Sequence, residues 1–312
     1  MEAYLDSLLY RTADGRKHFD LIITDECELP EWLSETTRLS VVRYEAPPAT
    51  GLGLSRLTAE VIRQYLSEHD PARLRQITQP RWHAPGVLLG SLGTTVETCT
   101  RASESLLAEY LEAPSRTQAW LANNVVGRSV FFADRLYTPR YGGLAERWWA
   151  PAKLVVKHRV VNMERFSPDS EPRPDLFEGD SRRVLTVGRV THRKGIDLLL
   201  AVAERLPDYE FVIVGPVSNE ELAATAADLA NVTCHPPVEY VEMPGLYTAA
   251  DLVLSVSRLE WGGVSRAMLE GKAAGRPVVA LDRGEAAAVA DSVVPSDPDA
   301  IAAAVERRLN YS

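Results

Sequence analysis

Two basic side chains stand in a loop that leaves a predicted strand. Residues 187–195 read VGRVTHRKG, so Arg189 and Lys194 are five residues apart. An apolar run precedes this loop, and a helix is predicted to begin at Ile196. A guanidinium and an ammonium beside the amides of a helix N-terminus suit a diphosphate that gains charge as it leaves. The alternative interpretation is a solvated basic loop.

A second segment, residues 257–277, reads SRLEWGGVSRAMLEGKAAGRP. Gly262 and Gly263 can bring bare backbone amides close to an anion just before a helix begins. Glu270 lies two turns into that helix and can accept hydrogen bonds from ribose hydroxyls. The alternatives are an ordinary glycine turn and a solvated surface glutamate.

The elements that must position these residues alternate between strand and helix. The second half is predicted to contain strands at 183–187, 210–214, 231–234, 251–256 and 277–281, and helices at 196–206, 219–229, 243–249, 264–274 and 298–309. This alternation predicts a parallel sheet covered on both faces, with ligands at the carboxyl ends of its strands.

The first half is less regular. Its predicted helices are 2–10, 55–68, 101–112 and 129–137, its predicted strands are 18–25, 39–44, 123–127 and 153–158, and residues 70–95 have no assignment. A polar, proline-rich stretch at 167–181 is the best candidate for a linker. The sequence therefore predicts two α/β domains, residues 1–170 and 171–312.

Composition excludes several classes of protein. The chain has 312 residues and a net charge of −9, and an acidic chain is a poor partner for nucleic acid. Cys27, Cys99 and Cys234 are far apart and lack CxxC spacing, which argues against a disulfide framework or a zinc site. The sequence shows no signal peptide and no apolar run of about 18 residues. We therefore expect a cytoplasmic protein without a zinc site.

Several segments of the second half resemble those of a known family. Residues 187–200 are similar to its strand–turn–helix with Arg and Lys, and residues 243–255, MPGLYTAADLVLS, resemble the stretch P-x-L-Y-x-A-A-D. Residues 269–280, LEGKAAGRPVVA, resemble L-E-A-M-A-A-G-x-P-V-V-A. The family is the retaining, family-4-type glycosyltransferases (glycosyl transferases group 1). Its GT-B fold has two Rossmann-like, doubly wound parallel-sheet domains that face a cleft.

The resemblance implies a function and roles for the residues. The substrate is a nucleoside diphosphate sugar, and the sugar passes with retention, and without a metal or cofactor, to a sugar, lipid-linked or small-molecule acceptor. Arg189 and Lys194 would stabilise the leaving diphosphate, and Glu260 would contact the transferred sugar. The remaining donor-binding residues implied by the resemblance are Gly188, Gly262, Gly263, Val264 and Glu270.

The sequence departs from the family pattern in two respects. Glu260 and Glu270 are ten residues apart, whereas the corresponding glutamates of the family are usually eight apart. The N-terminal domain is expected to be shortened by roughly two strands relative to the family pattern. Both departures favour a rival interpretation, a non-catalytic protein of the same fold that binds nucleotide sugars or acts as a scaffold. An NAD-dependent oxidoreductase is disfavoured, because no G-x-G-x-x-G follows a strand.

Two further features of the first half point to the acceptor side. His158 follows a predicted strand and is a candidate cleft residue, with an ordinary structural histidine as the alternative. Trp148 and Trp149, with Arg147 and Lys153 nearby, suggest an acceptor surface or a peripheral contact with the inner face of the membrane. The alternative is packing of a loop that connects the domains.

Overall fold

The structure is a computed structural model and divides into two compact units, residues 1–158 and 159–312. It describes residues 2–11, 18–24, 28–34, 36–76, 80–101, 132–138, 154–156, 160–177, 181–258 and 264–310. Among these residues, no helix combines the length and the apolar character that crossing a membrane requires.

The described strands of the first unit form two parallel sheets. Strands β1 (Phe19–Thr24) and β2 (Leu39–Tyr44) form one, and β3 (Arg73–Arg75), β4 (Glu97–Arg101), β5 (Arg135–Thr138) and β6 (Leu154–Val156) form the other in that order. Its described helices are α1 (Glu2–Arg11), α2 (Glu31–Ser34), α3 (Gly51–Glu68) and α4 (Pro80–Gly90).

The prediction for the first unit is confirmed in some places and wrong in others. Strands β1 and β2 and helices α1 and α3 lie where they were expected, while β3 and α4 fill the stretch 70–95 that had no assignment. The predicted helix at 129–137 is wrong at its end, because Arg135–Thr138 is a strand. Leu136 is buried between β4 and β6 in register with Thr100 and Leu154, so sheet pairing overrides the local pattern. The strand predicted at 123–127 lies outside the described residues.

The described strands of the second unit form one six-stranded parallel sheet. Its strands stand in the order β12-β11-β10-β7-β8-β9, where β7 is Arg182–Val187, β8 Tyr209–Val214, β9 Val232–His235, β10 Leu252–Ser255, β11 Val278–Leu281 and β12 Ser292–Val294. The order reverses between β7 and β10, which makes their carboxyl ends the switch point where ligands bind in such sheets. The short edge strand β12 was not predicted.

Helices cover both faces of this sheet. One core cluster contains α5 (Ile196–Arg205), α6 (Glu220–Ala227) and α9 (Pro298–Asn310), and the other contains α7 (Met243–Ala249) and α8 (Arg266–Ala273). Strands β8 and β11, which lie between the clusters, are mostly apolar, as expected of strands buried on both faces. The predicted α/β fold class, with Rossmann-like parallel sheets, is confirmed.

The segment predicted as a linker is instead part of the second unit. Phe166 and Phe177 lie in the core cluster with α7 and α8, and Phe166 is fully buried. The Arg173 amide donates to the Gly245 carbonyl at 2.9 Å, which attaches the segment to α7. The units therefore divide between residues 158 and 159, upstream of the division predicted after residue 170. The proline and polar residues of 167–181 predict a linker. Phe166 and Phe177 instead pack in the core of the second unit and attach the segment to it.

This packing makes a prediction. Phe166→Ala is expected to lower the free energy of unfolding by about 3–5 kcal/mol, because it leaves a cavity in a filled core. Phe132→Ala is the matched control, since that ring is 82% exposed. Denaturant unfolding measures both. Equal stability of the two variants would contradict the assignment of Phe166 to the core.

Candidate functional site

The loop after β7 is joined to the loop after β8. The Gly188 amide donates to the Val214 carbonyl at 2.9 Å, and the Val190 amide donates to the Pro216 carbonyl at 3.0 Å. A Cβ at Gly215 would lie 2.2 Å from the Gly188 carbonyl oxygen, so position 215 has no room for a side chain. The backbone that presents Arg189 therefore has a fixed course across the carboxyl ends of both strands.

A single turn of 3-10 helix, His192–Lys194, leads from this loop into α5. The Lys194 amide donates to the Thr191 carbonyl at 3.1 Å and also to the Thr191 hydroxyl, and the Gly195 amide donates to the His192 carbonyl. The Lys194 and Gly195 amides are therefore engaged within the turn that Thr191 caps. That the amides at the N-terminus of α5 contribute to anion binding stays a prediction.

Gly195 is the point where the β7 loop meets the end of β10. Its φ is +74°, and a Cβ there would lie 2.0 Å from the Val256 carbonyl oxygen. Only glycine tolerates both the left-handed conformation and this approach. The start of α5 is thereby set directly against the strand that precedes the glycine-rich segment.

Arg258 joins the same two segments through its side chain. Its guanidinium donates to both carboxylate oxygens of Asp197, each at 2.6 Å, and to the His192 carbonyl at 2.6 Å. Its backbone amide donates to the Arg193 carbonyl. This bidentate pair was not predicted from the sequence. The signal that could have indicated it is an acidic residue in the first turn of a helix that follows a basic loop.

The pair changes the acidity of Asp197. Burial alone raises the pKa of this carboxyl, but the hydrogen bonds and charge of Arg258 outweigh burial and hold the pKa below its ordinary value. The same pairing raises the pKa of Arg258. Asp197 is therefore ionised at neutral pH, where a negative charge in the first turn of α5 also suits the helix dipole.

Glu270 lies on α8, on the other side of the switch point, and is buried with 4% of its surface exposed. The Tyr247 hydroxyl donates to Glu270 Oε2 at 2.9 Å. Burial, then the charge of Glu270, raises the pKa of Tyr247 well above its ordinary value, so the phenol keeps its proton. Glu270 is thus not the solvated surface residue that the alternative interpretation required.

The two helices beside the switch point begin alike in one respect. Neither N-cap residue, Gly195 of α5 or Ser265 of α8, makes a side-chain cap hydrogen bond. Val264 precedes the N-cap of α8 and packs partly against the core cluster of α7 and α8. Both helices therefore begin with first-turn amides that no N-cap side chain engages.

The predicted site residues that the structure describes follow two neighbouring strands. Gly188, Arg189 and Lys194 follow β7, and Val264 and Glu270 follow β10, its neighbour in the sheet. Arg189 is exposed, while a Cβ placed on Gly188 would lie 3.5 Å from Lys194 Cε, so the lysine stem covers the glycine. Four further predicted residues lie outside the described part of the chain: His158, Glu260, Gly262 and Gly263.

These features define a class of protein. A sheet of Rossmann order, with a basic loop at its switch point and a buried carboxylate after the neighbouring strand, is typical of Rossmann-like α/β domains, which bind their ligands at this edge of the sheet. Comparison with known proteins gives a family to which this region is similar. Residues 181–310 match the model of the family "Glycosyl transferases group 1", which is the family that the motifs of this region resemble.

One curated relative is a glycosyltransferase by name. D-inositol 3-phosphate glycosyltransferase from Mycobacteroides abscessus is 33% identical over 146 residues, which are 43% of this chain and 32% of the relative. The chain thus covers about a third of the length of that relative.

Solved structures confirm the GT-B fold class. Sucrose-phosphate synthase from Thermosynechococcus elongatus superposes with a TM-score of 0.76 at 20% identity, over 98% of this chain and 83% of that one. UDP-GlcNAc 2-epimerase from Neisseria meningitidis, bound to UDP-GlcNAc, superposes with a TM-score of 0.59 at 14% identity, over 99% and 88%. At these identities the likeness establishes the fold alone.

The close approach at Gly195 makes the first prediction for the site. Gly93 also has a left-handed φ, +82°, but a Cβ there would meet nothing within 4 Å. Gly93→Ala is expected to cost about 1–2 kcal/mol from backbone strain. Gly195→Ala is expected to cost about 1–3 kcal/mol more, because the methyl overlaps the Val256 carbonyl. Thermal and denaturant unfolding of both variants measures the difference. Equal losses would show that the loops are not fixed at this contact.

The Asp197–Arg258 pair predicts a pH dependence. Because the pKa of Asp197 is lowered in the folded state, its contribution to stability is present above the ordinary aspartate pKa of about 4. That contribution is lost as the pH falls through the lowered value. Asp197→Asn should therefore destabilise the protein by about 1 kcal/mol at pH 7 and by progressively less below pH 4.

Urea unfolding between pH 3 and pH 7 tests this dependence. Asp299→Asn is the control, since that carboxylate is 77% exposed in its ion pair with Arg205. A difference between wild type and Asp197→Asn that stays constant over this range would rule out the proposed electrostatic role.

Proposed function

We propose that the chain is a glycosyltransferase that takes its sugar from a nucleoside diphosphate sugar bound at the switch point of the second unit. The observation that carries the proposal is the arrangement of basic side chains after β7 and a buried carboxylate after β10, on neighbouring strands of a region that matches this family. The likeness to an epimerase bound to UDP-GlcNAc supports a nucleotide sugar as the ligand.

The diphosphate is assigned to the basic side of the site. Arg189 is exposed, and among the described residues no carboxylate lies within ion-pairing distance of it. Lys194, half-buried over Gly188, supplies a second positive charge from the same loop. Two cations facing a diphosphate stabilise the charge that grows as it leaves. The backbone amides at the start of α8, from Val264 onward, complete the anion site.

The nucleoside is assigned to the side of Glu270. A buried carboxylate that is already oriented is a strong acceptor for vicinal hydroxyls, which ribose presents and which most small anions lack. This division also keeps the negative carboxylate away from the diphosphate and leaves that group to Arg189 and Lys194.

The reaction we propose is metal-independent and retains the anomeric configuration. The bond between the anomeric carbon and the diphosphate oxygen breaks, and the acceptor oxygen bonds to the same face of that carbon. The acceptor proton passes to the departing diphosphate, so no separate base is needed. Glu260, Gly262 and Gly263 keep the roles that the family resemblance implies, with Glu260 contacting the transferred sugar.

The acceptor belongs to one of three classes: a sugar, a lipid-linked sugar or a small molecule. A lipid-linked acceptor would place the protein at the inner face of the membrane, with Trp148 and Trp149 as the proposed contact. A water-soluble acceptor would leave it in the cytoplasm.

The second candidate function is nucleotide-sugar binding without transfer, favoured by the ten-residue spacing of Glu260 and Glu270. Purified protein incubated with UDP-, GDP- and ADP-sugars separates the candidates. Nucleoside diphosphate release that requires an acceptor indicates transfer, and release without an acceptor indicates hydrolysis or epimerisation. Binding by calorimetry with no release under any condition indicates the non-catalytic protein. No binding of any nucleotide sugar would exclude the whole proposal.

The role of the β7 loop makes a further prediction. Lys194→Ala is expected to reduce transfer by about 100-fold or more, since a charge that stabilises the leaving group is lost. The matched control is Lys272→Ala, because Lys272 lies on α8 in an ion pair with Asp291 at 2.8 Å. Both variants should keep the circular dichroism of the wild type. Unchanged transfer by Lys194→Ala would refute the phosphate role of this lysine.

A further inference from the structure

The contact between Tyr247 and Glu270 lies behind the proposed donor site. Tyr247 is fully buried on α7, and its hydroxyl donates to Glu270 Oε2 at 2.9 Å. The two residues are 23 positions apart, so the bond joins two helices and not neighbouring turns of one. It lies on the face of the sheet that packs against α7 and α8.

Glu270 needs such a partner. A carboxylate with only 4% of its surface exposed is costly to bury unless hydrogen bonds satisfy it. A protonated phenol donates a hydrogen bond to the carboxylate. Unlike Lys or Arg, it adds no positive charge that would compete with the ligand for that carboxylate. A carboxylate has about four acceptor positions, and the bond from Tyr247 occupies one of those on Oε2.

The Tyr247 ring is itself held in one place. Phe166 meets it edge-on, with ring centroids 6.0 Å apart. On the helix that carries Tyr247, a Cβ at Gly245 would lie 2.6 Å from the Glu171 carbonyl oxygen, so the upstream segment lies close against α7. The hydroxyl therefore points at Glu270 from a rigid support, as an orienting group requires.

We propose that Tyr247 is a positioning residue of the donor site, whose hydroxyl holds the Glu270 carboxylate in the orientation that accepts the ribose hydroxyls of a nucleoside diphosphate. This inference rests on the proposed function, because it assumes that Glu270 faces the nucleoside. It assigns Tyr247 no contact with the ligand. Its effect reaches the ligand only through Glu270.

The experiment compares ribose with deoxyribose. Calorimetry with UDP, GDP and ADP first identifies the nucleoside diphosphate that binds the wild type, and its 2′-deoxy and 3′-deoxy analogues are then titrated. Tyr247→Phe removes only the hydroxyl and keeps the ring in its core. The Kd of the ribonucleotide is expected to rise roughly tenfold, the loss typical of a hydrogen bond to a charged group. The Kd of the analogue lacking the recognised hydroxyl should change little.

Two further variants make the test specific. Glu270→Gln should lose the same preference for ribose, and adding Tyr247→Phe to it should cause almost no further loss, because the tyrosine acts through the glutamate. Tyr209→Phe is the matched control, since Tyr209 packs against the core cluster of the other sheet face. It should bind like the wild type. Circular dichroism checks that each variant is folded.

The outcomes distinguish the two proposals. A Tyr247→Phe protein with unchanged ribose preference would overturn the positioning role, as would equal losses for the ribonucleotide and its analogues. Additive losses in the double variant would overturn it too. In those cases the proposed function stands as long as the wild type still binds and turns over a nucleotide sugar. A wild type that binds no nucleoside diphosphate would instead remove the proposed function, and this inference with it.

Discussion

The second unit depends on the meeting of two loops at Gly195. There the turn before α5 approaches the Val256 carbonyl so closely that no side chain fits between them. Arg258 reinforces the contact through Asp197 and the His192 carbonyl. Because β7 and β10 flank the switch point, this contact sets the spacing between the basic loop and the segment leading to Glu270. A site assembled from two strands needs such a constraint, since small shifts in loop position weaken recognition of a rigid ligand.

Much of the second unit could be predicted from its sequence because local and tertiary preferences agree there. The helix at Met243–Ala249 was predicted to the residue, and the strand at Arg182–Val187 to within one residue. Apolar strands separated by glycine and proline leave few alternatives in a parallel sheet. Strand β12 was not predicted, because a strand of three residues is too short to show a pattern of apolar and polar positions.

The features that could not be predicted depend on contacts between distant positions. Nothing in the local sequence indicates that Phe166 belongs to the second core or that Leu136 lies in a strand. The bonds from Arg258 to Asp197 and from Tyr247 to Glu270 join residues 61 and 23 positions apart. The sequence identified Arg189, Lys194 and Glu270 as candidates through residue type and spacing. The Tyr247 hydroxyl that contacts Glu270, and the backbone contacts that fix the loop of Arg189 and Lys194, are visible only in the folded chain.

The capped turn before α5 has a consequence for how this domain diversifies. Thr191 satisfies the backbone of the turn, and Asp197 complements the dipole of the helix. These two stabilising features do not use the side chains at 189 and 194. Substitutions at these two positions can retune the electric field over the crevice while the scaffold beneath stays intact. Residues 189 and 194 can therefore set the ligand preference, while Thr191 and Asp197 maintain the structure. Selection can act on each pair separately.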